Sequence, residues 1–567
     1  MSDPLSILII GGYGTFGRRI VALLEDQSRL NLIVAGRSLS KAQAFCAERK
    51  ASKATLVPAA FDRGGDLDGL LGMLKPNIVI DASGPFQSYG ASPYRVIEAC
   101  LVRSIAYLDL ADSAEFAAGV AAYDAAARAK GVYVLSGVSS FPVLTAAAVR
   151  HLARDMTVID SVRAGVAPSP YAGVGENVIR AIAAQAGGGV PVWRDGQPAI
   201  GHPLTETMRA TIAPPGLIPL QNRLFSLVNV PDLLALTRLW PGIRTVWVGA
   251  GPAPEFMHRV LVGLAWLVRW RLLPSLRPLA GLMHLSTRKV RWGERRGGMF
   301  VAVTGATATG ARVSRSWHLL ADGDDGPFIP AMSAAVLISK VLSGQPPQPG
   351  ARTALEELEL ADYQALFAGR AIRSGVRDDL PPNAAPLYQR LLGSAYAELP
   401  AELRQMHSVQ DRFTAAGRAT VERGPSLLAR LVANAVGFPP AAADVPVSVQ
   451  FDAAGGVETW TRRFGPKSFY SRQFAGSGRS EHLLCEQFGP LIFAMAVVVE
   501  AGRLSLVLRR WSVFGAPLPI WLGPRSTAYE TSEGGKFRFH VEIGHPLTGL
   551  IVRYRGWLAP NVADAPA

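Results

Sequence analysis

A short apolar run that leads directly into a glycine-rich turn constrains the fold of this chain more than any other feature. Leu5–Ile10 is followed by the sequence Gly11-Gly12-Tyr13-Gly14-Thr15-Phe16-Gly17 and then by residues with helical periodicity. Gly12 is expected to permit the tight turn, Gly14 to let the backbone approach a pyrophosphate, and Gly17 to let helix and strand pack closely. The pattern predicts a Rossmann domain whose helix N-terminus binds the phosphates of a dinucleotide. The alternative is a glycine turn that holds no ligand.

Short apolar runs alternate with helical patterns along the first part of the chain, which predicts an α/β fold with a doubly wound parallel sheet of six strands. We assign residues 1–142 to this Rossmann domain. Residues 143–343 are predicted to form an inserted mixed α/β substrate domain, with a helix at Pro330–Leu342 returning to the Rossmann sheet. Residues 344–386 are rich in Pro and Gly and are predicted to be a linker. Residues 387–567 are predicted to form leading helices, up to Phe438, followed by a mainly antiparallel β domain of sandwich or barrel type.

The residues after the second predicted strand indicate which dinucleotide is bound. An acidic residue there would bind the ribose 2′-hydroxyl of NAD, but this strand ends in Ala35-Gly36-Arg37-Ser38. The Arg37 guanidinium can contact a 2′-phosphate and stack on adenine, and Ser38 offers a further donor. The sequence therefore predicts NADP(H) as the cofactor, and the alternative is that Arg37 merely ends the strand at the surface.

Two further segments follow predicted strands at the edge of the sheet where ligands bind. Asp62 follows the third strand and is a candidate acceptor for the adenine amino group, although a solvated Asp at a strand end is nearly as plausible. The fourth strand leads into Ala82-Ser83-Gly84-Pro85-Phe86. Its small residues allow backbone contact near the nicotinamide ribose, and Phe86 is a candidate wall for the nicotinamide.

No complete catalytic motif is present, and no cluster of residues has the spacing of a metal site. Asp109 and Asp112 follow the fifth strand and Ser139 follows the sixth, so each is a candidate for contact with substrate or nicotinamide. For Asp112 and Ser113, capping of the next helix is the more ordinary role. His318 is a candidate proton donor, although a lone His in an apolar strand is more often simply hydrogen-bonded in place. The aromatic residues of the last domain would either line a lipid-sized cavity or fill an ordinary core.

These residues resemble the saccharopine dehydrogenase-like NADP-binding oxidoreductases. The resemblance covers about the first 340 residues, and it is strongest up to Pro142. Residues from Leu387 onward resemble an uncharacterised domain often fused behind such reductases. The family includes saccharopine reductases and also members that act on lipid or polyketide enoyl groups, so the resemblance implies an NADP-dependent oxidoreductase without fixing the substrate. The segments that carry it are 11–17, 35–38, 82–90, 107–112 and 137–142.

The net charge of +14 is distributed unevenly. Residues 256–300 contain nine basic residues and one acidic residue, a surplus of +8. The same segment is interleaved with apolar residues and carries Trp266 and Trp270 at a four-residue step, which places both on one helical face. We expect reversible contact with an anionic membrane surface through this segment, and no nucleic-acid partner. The arginines interrupt the apolar run before it is long enough to span a membrane, and the alternative is a helix packed on its own protein.

The sequence as a whole predicts an NADP(H)-dependent reductase that transfers hydride to an apolar acyl or lipid-like small molecule. A saccharopine pocket would need convergent Arg and Lys side chains, and no such set is recognisable. The three cysteines lie far apart and no signal peptide is evident, so we expect a cytoplasmic protein, with peripheral contact at the inner membrane face. Two alternatives stay open: a non-catalytic lipid-binding or membrane-associated nucleotide sensor, and a genuine saccharopine reductase.

Overall fold

A computed structural model describes residues 4–173 and 175–561. It contains helices and strands throughout both ranges. The helices are α1 (Gly17–Leu24), α2 (Leu39–Ala47), α3 (Leu67–Leu74), α4 (Arg95–Val102), α5 (Ala114–Gly119), α6 (Asp124–Ala129), α7 (Thr145–Leu152), α8 (Glu176–Gln185), α9 (Asp232–Leu239), α10 (Glu255–Arg269), α11 (Ala280–Lys289), α12 (Ile329–Leu342), α13 (Gln364–Ala368), α14 (Leu387–Leu392), α15 (Ala401–Met406) and α16 (Leu427–Val436).

The strands fall into three large sheets and one hairpin. They are β1 (Leu5–Ile10), β2 (Leu30–Gly36), β3 (Thr55–Ala60), β4 (Ile78–Asp81), β5 (Ala106–Asp109), β6 (Tyr133–Ser136), β7 (Met156–Ala167), β8 (Val190–Arg194), β9 (Gln197–Gly201), β10 (Thr207–Ile212), β11 (Leu220–Leu227), β12 (Thr245–Ala250), β13 (Gly297–Thr307), β14 (Arg312–Ala321), β15 (Gly350–Thr353), β16 (Ile372–Asp378), β17 (Arg412–Arg423), β18 (Ala442–Ala454), β19 (Val457–Phe464), β20 (Lys467–Ala475), β21 (Leu484–Phe488), β22 (Leu491–Glu500), β23 (Arg503–Val513), β24 (Ala516–Leu518), β25 (Arg525–Glu533), β26 (Lys536–His545) and β27 (Gly549–Pro560).

The first sheet is parallel and confirms the predicted Rossmann architecture. Its order is β15-β6-β5-β4-β1-β2-β3, with β1 between β2 and β4. The direction of winding reverses at β1, so the carboxyl ends of β1 and β4 flank the crevice where ligands bind in such sheets. The central strands are buried on both faces, which explains why they are continuous apolar runs rather than alternating ones. Helix α12 packs against α1, as expected for a helix that returns to this sheet.

The seventh strand of this sheet lies in the segment predicted to be a linker. Residues Gly350–Thr353 pair in parallel with β6, and the Ala351 backbone N–H donates to the Asp124 carboxylate at 2.9 Å. Only Ala351 among these four residues is an apolar core residue, so the strand has no apolar run by which to recognise it. Pairing with a strand already in place, rather than local sequence, orders this part of the predicted linker.

The second sheet is mixed and has the order β10-β11-β12-β7-β13-β14-β16. Strand β7 pairs in parallel with β12 and antiparallel with β13. By its internal contacts the chain divides into two compact units. The first unit comprises Met1–Arg209, Leu224–Val313 and Leu319–Arg373, and the second comprises Ala210–Arg223, Ser314–His318 and Ser374–Ala567. Residues 562–567 of the predicted last domain lie outside the described residues.

The third sheet is a closed antiparallel barrel within the second unit. Strands β17–β23 and β25–β27 form the ring, which the pairing of β22 with β23 closes, and β24 is attached to β23. Inward side chains alternate with outward ones, as β20 illustrates, where Phe469, Ser471 and Gln473 are buried while Tyr470 and Arg472 are exposed. The predicted antiparallel β domain is therefore confirmed, and it is a barrel.

One strand of the barrel lies where only helices were predicted. Strand β17 follows α15, inside the segment up to Phe438 that has a helical composition. Its Ala-rich sequence favours a helix by propensity, yet Phe413, Ala415, Ala419 and Val421 are buried in the barrel core. Tertiary pairing with β18 and β27 overrides the local preference.

Candidate functional site

The glycine turn after β1 has no room for side chains at the positions that the sequence pattern marks. A Cβ on Gly17 would lie 2.2 Å from the Gly11 carbonyl oxygen, and one on Gly14 would lie 2.9 Å from the same oxygen. The residue of the turn with a left-handed backbone is Gly11, with φ +77°, which directly precedes Gly12. Gly12 is instead required because a Cβ there would lie 2.9 Å from Val34 of β2.

The turn presents unused backbone donors at the start of α1. Gly14 donates to the Gly11 carbonyl at 2.8 Å, whereas the N–H groups of Thr15 and Phe16 donate to no other described group. These two donors lie at the positive end of the helix dipole. Such a cradle fits a pyrophosphate.

The residues after β2 leave one guanidinium available. Arg37 is exposed and forms no hydrogen bond or ion pair with any residue of the described ranges. The Ser38 hydroxyl caps α2 by accepting from the Lys41 N–H at 3.4 Å, and its role as a donor to the cofactor stays a prediction. The Ser38 N–H donates to the Tyr13 hydroxyl at 3.1 Å. Tyr13 thus lies against Gly36, where a Cβ would come within 2.5 Å of that hydroxyl.

Asp62, after β3, is exposed and forms a local turn. Its Oδ1 accepts the Gly64 N–H at 3.0 Å, which leaves Oδ2 without a partner among the described residues. The carboxylate lies on the same side of β1 as Arg37, because β3 is the outer neighbour of β2. Its role toward an adenine stays a prediction.

A buried carboxylate that the sequence analysis did not single out holds the segment after β4. Asp81 is fully buried, and its Oδ1 accepts both the Ser83 N–H at 3.0 Å and the Ser83 hydroxyl at 2.5 Å. Its Oδ2 lies 3.6 Å from Arg63, whose guanidinium stacks on Tyr89 with 3.2 Å to the ring centroid. This network fixes the backbone of Ala82-Ser83-Gly84-Pro85. A signal was present, since Asp81 ends an apolar strand immediately before the small residues.

Phe86 belongs to the core of the first unit. Its ring is 5% exposed and lies 4.9 Å from the Tyr89 ring and 5.1 Å from the Phe116 ring, between centroids. These are the contacts of a core residue, and the predicted contact of Phe86 with a nicotinamide stays a prediction.

Asp109, at the end of β5, is buried, and hydrogen bonds from described residues reach only one of its two carboxylate oxygens. Oδ1 accepts from the N–H groups of Ala111 and Gly137, both at 2.9 Å, and from the Ser136 hydroxyl at 2.8 Å, whereas Oδ2 has no partner among the described residues. Burial raises the pKa of Asp109 to about 7, although its hydrogen bonds act in the opposite direction. Asp109 therefore ties together the segments after β5 and β6.

The three predicted catalytic candidates have different surroundings. Asp112 is exposed and accepts from the Gln87 amide at 3.0 Å, while Ser113 rather than Asp112 caps α5. Ser139 is half-buried and its carbonyl accepts from Ser333 at 3.1 Å. His318 belongs to the second unit, where it is buried and hydrogen-bonded to Ser316 at 2.9 Å. Burial holds the pKa of His318 well below its usual range, so this imidazole is neutral at pH 7. A proton-donor role for His318 would therefore rest on a neutral imidazole.

A cavity of about 710 Å³ lies against the glycine turn within the first unit. Thr15 and Phe16 of the turn and Ser140 after β6 line one part of it. Residues of the segment after β7 and apolar side chains of α8, α10 and α11 line the rest, and a Cβ on Gly175 would lie 3.1 Å from the Thr15 hydroxyl. No Asp, Glu, Lys or Arg is among the described residues that line the cavity.

His258 on α10 is the titratable side chain that the described lining contains, and it is not among the residues predicted from the sequence. Its Nε2 shares a hydrogen bond of 2.6 Å with the Ser226 hydroxyl, and the residue is 2% exposed. Burial lowers the pKa of His258 to about 4, so the imidazole is neutral at pH 7. A single His within an Arg-rich helix gives no signal in sequence, because its position at the cavity depends on the fold.

The helices α10 and α11 have one packed face and one exposed face. Leu261, Leu264 and Val268 pack with Ile179 and Leu276. Exposed apolar side chains on the same segment are Phe256, Val260, Trp270, Leu272, Leu282, Leu285 and Trp292.

Several basic groups of this segment are paired within the protein. Arg259 forms an ion pair with Glu255 at 2.7 Å, and Arg269 stacks on Trp266. Within the described ranges, no helix combines the length and apolar character that a membrane span requires. In those same ranges, no group of three or more His, Cys, Asp or Glu side chains is arranged to hold a metal ion.

Two family models match the chain. Residues 7–135 match the saccharopine dehydrogenase NADP binding domain, and residues 399–558 match a domain of unknown function, DUF4166. No curated protein matches.

Two solved structures are similar to the chain at low identity. The chain is similar to apo saccharopine dehydrogenase (L-Glu forming) from Saccharomyces cerevisiae, with 14% identity, 66% of this chain and 100% of that chain covered, and a TM-score of 0.47. A probable dehydrogenase from Thermotoga maritima is 11% identical over 64% of this chain and 94% of its own, with a TM-score of 0.32.

The matched family binds NADP, and the geometry of the turn and of Arg37 fits that cofactor. A pyrophosphate would lie on the free donors of Thr15 and Phe16, and a 2′-phosphate would lie within the reach of Arg37. The chain is an NADP-dependent oxidoreductase whose residues 7–135 form a saccharopine dehydrogenase-type NADP-binding domain and whose residues 399–558 form a DUF4166 domain.

Proposed function

We propose that the chain is a reductase of apolar acyl or lipid-like molecules. The observation that carries this proposal is the cavity beside the glycine turn, which has no charged side chain among its described lining residues. Saccharopine carries several carboxylates, which would need buried cationic partners. An apolar chain needs none and gains free energy from burial.

One set of residues would bind the cofactor, and another would surround the substrate and exclude water. The turn and Arg37 hold the cofactor, while the apolar faces of α8, α10 and α11 surround the acyl chain. When bound, NADPH supplies the hydride. Ser140 lines the cavity and follows β6, so it lies on the side of β1 opposite to Arg37, where the nicotinamide half of the cofactor extends in this fold.

No carboxyl group is among the described residues that line the cavity, so a proton for the substrate would come from another group. The lining groups that can hold a proton are the hydroxyls of Thr15, Ser140, Ser169, Ser286 and Thr287 and the neutral imidazole of His258. A neutral imidazole can orient a substrate carbonyl by donating a hydrogen bond.

Turnover with an apolar substrate tests the proposal. We expect NADPH oxidation with a 2-decenoyl thioester, in which hydride and one proton add across the double bond and NADP⁺ is released. Saccharopine with NADP⁺ should give no NADPH. Robust formation of NADPH from saccharopine would overturn the proposal in favour of a genuine saccharopine reductase.

A matched pair of variants on α10 ties the activity to the cavity. Leu264→Trp fills the cavity, whereas Gly263→Trp places the same ring where a Cβ meets no atom within 4 Å. The first variant should lose activity and the second should keep it. NADPH binding by both variants without turnover of any acyl substrate would favour a nucleotide sensor that does no chemistry.

We also propose that residues 256–300 contact an anionic membrane surface. The support is that Phe256, Val260 and Leu282 are both exposed and part of the cavity lining, so the cavity opens where exposed apolar side chains and basic residues occur together. An apolar substrate would then pass from the lipid without crossing water.

Flotation with vesicles that contain or lack phosphatidylglycerol tests this contact. Protein should float with the anionic vesicles at low salt and less so at high salt, because the electrostatic part is screened. Trp270→Ala should weaken flotation, with Trp240→Ala, outside the segment, as a control. Protein that stays below anionic vesicles at low salt would contradict the proposal.

A further inference from the structure

We propose that the C-terminal barrel is a second binding site, which takes a single-chain apolar molecule with a hydroxyl head group. The barrel belongs to the segment that matches a domain of unknown function. Its ligand would be held by residues of the second unit, independently of the cofactor.

The barrel encloses a cavity of about 490 Å³, which lies in the size range of small-molecule sites. Aliphatic and aromatic side chains form most of its wall, among them Phe451, Trp511 and Phe539. A tightly packed core would leave no such space.

The cavity has one polar region, built around an ion pair. Arg462 donates to Ser471 at 2.7 Å and to Glu486 at 3.0 Å. Oε1 of Glu486 also accepts from Ser471 at 2.7 Å and from Gln473 at 3.2 Å. Arg462, Gln473 and Glu486 all line the cavity.

A second carboxylate faces the same space. Oε2 of Glu530 accepts from His407 at 2.5 Å, and the His407 ring stacks on Tyr388 with 3.8 Å between centroids. Tyr388 in turn donates to Gln473 at 3.0 Å, which connects the two acidic residues.

The balance of charges selects the head group. Oε2 of Glu486 and Oε1 of Glu530 accept no hydrogen bond from a described residue, although both side chains line the cavity. A ligand carboxylate would meet two carboxylates and one guanidinium that is already paired. A hydroxyl can donate to a carboxylate oxygen and accept from an amide or guanidinium N–H, so it satisfies both kinds of group.

The cavity is open to solvent at an apolar rim. Leu428, Leu522 and Leu547 line the cavity and are 50%, 40% and 80% exposed. The three segments meet at this end, because Ser426 donates to the Thr548 carbonyl at 2.9 Å and His545 lies 3.3 Å from the Leu522 carbonyl oxygen. An apolar chain can therefore enter past α16.

Calorimetric titration of the full chain with 1-decanol and with decanoate, at about pH 8, tests the proposal. Decanol should bind at least tenfold more tightly than decanoate. Octanol should bind roughly 16-fold more weakly than decanol, since each methylene contributes about fourfold.

Variants place the binding in the barrel rather than in the cavity of the first unit. Ala528 lines the barrel cavity and Thr527 faces outward on the same strand, so Ala528→Phe should abolish decanol binding while Thr527→Phe should retain it. Leu264→Trp should also retain it. Glu486→Gln removes one negative charge and should shift the preference toward decanoate by at least tenfold.

Three results would overturn the proposal: no decanol binding by protein that binds NADPH, decanol binding that survives Ala528→Phe, or decanoate as the tighter wild-type ligand. Because NADPH binding is measured on the same preparations, failure here is distinguishable from failure of the proposed reductase activity.

Discussion

The two cavities of this protein differ in where their charges lie. The cavity of the first unit has no charged side chain among its described lining residues, and Arg37, which we propose binds the cofactor, is not part of that lining. The barrel cavity is equally apolar over most of its wall but contains Arg462, Glu486 and Glu530. The apolar wall of each cavity predicts an apolar ligand. The paired charges of the barrel cavity also predict the head group of that ligand.

Two buried acids of the first unit differ in their partners from the two acids that line the barrel cavity. In the first unit, Asp109 has an oxygen without a partner among the described residues, and Asp232 is fully buried. In the barrel, Glu486 and Glu530 each accept from a basic side chain. The first unit should therefore respond to pH through these two carboxyl groups.

The largest expected effect follows from those buried acids. Burial raises the pKa of Asp109 and of Asp232 to about 7 in the folded protein, against 3.8 as the ordinary value. The folded state holds these protons more tightly, so their contribution to stability is complete below about pH 4 and is lost as pH rises through about 7. Asp232→Asn should therefore stabilise the protein at pH 8 relative to wild type, by up to about 4 kcal/mol, with little difference at pH 4. Urea unfolding at several pH values measures this, and a difference that does not grow with pH would contradict it.

Gly17→Val should impair NADPH binding in the first unit without changing decanol binding in the barrel. The added side chain would collide with the Gly11 carbonyl, so we expect NADPH affinity to fall by more than about 100-fold, or roughly 3 kcal/mol. Decanol binding in the barrel should not change. Fluorescence titration with NADPH measures the loss, and Gly263→Val, which enters open space, is the matched control. Full NADPH affinity in Gly17→Val would mean that the turn does not hold the cofactor.

Arg37→Asp should have a smaller effect that is confined to one cofactor. Loss of a charge-assisted contact and a new repulsion should weaken NADPH binding by at least about tenfold, or ~1.5–3 kcal/mol, and leave NADH binding unchanged. Lys41→Asp, an equal change of charge on α2, serves as the control. Equal losses for both cofactors, or none for either, would show that Arg37 does not contact the 2′-phosphate.

Local sequence was sufficient to predict six of the Rossmann strands because each is a short, mainly apolar run between segments with helical or turn-forming sequence. It was insufficient for β15 and β17, which depend on pairing with strands distant in sequence. The turn and Arg37 could be predicted because their spacing carries the chemistry. His258 and Arg462 could not, because what places each of them at a cavity is the approach of segments far apart in the chain.

The dependence of turnover on chain length tests the central claim, an apolar substrate cavity beside the glycine turn, most directly. We would measure kcat/KM for NADPH-dependent reduction of crotonyl, hexenoyl, octenoyl and decenoyl thioesters. Burial of each added methylene should raise kcat/KM by roughly two- to fourfold until the cavity is filled, and Leu264→Trp should end the rise at a shorter chain. A kcat/KM that is flat across the series, or unaffected by Leu264→Trp, would contradict the account.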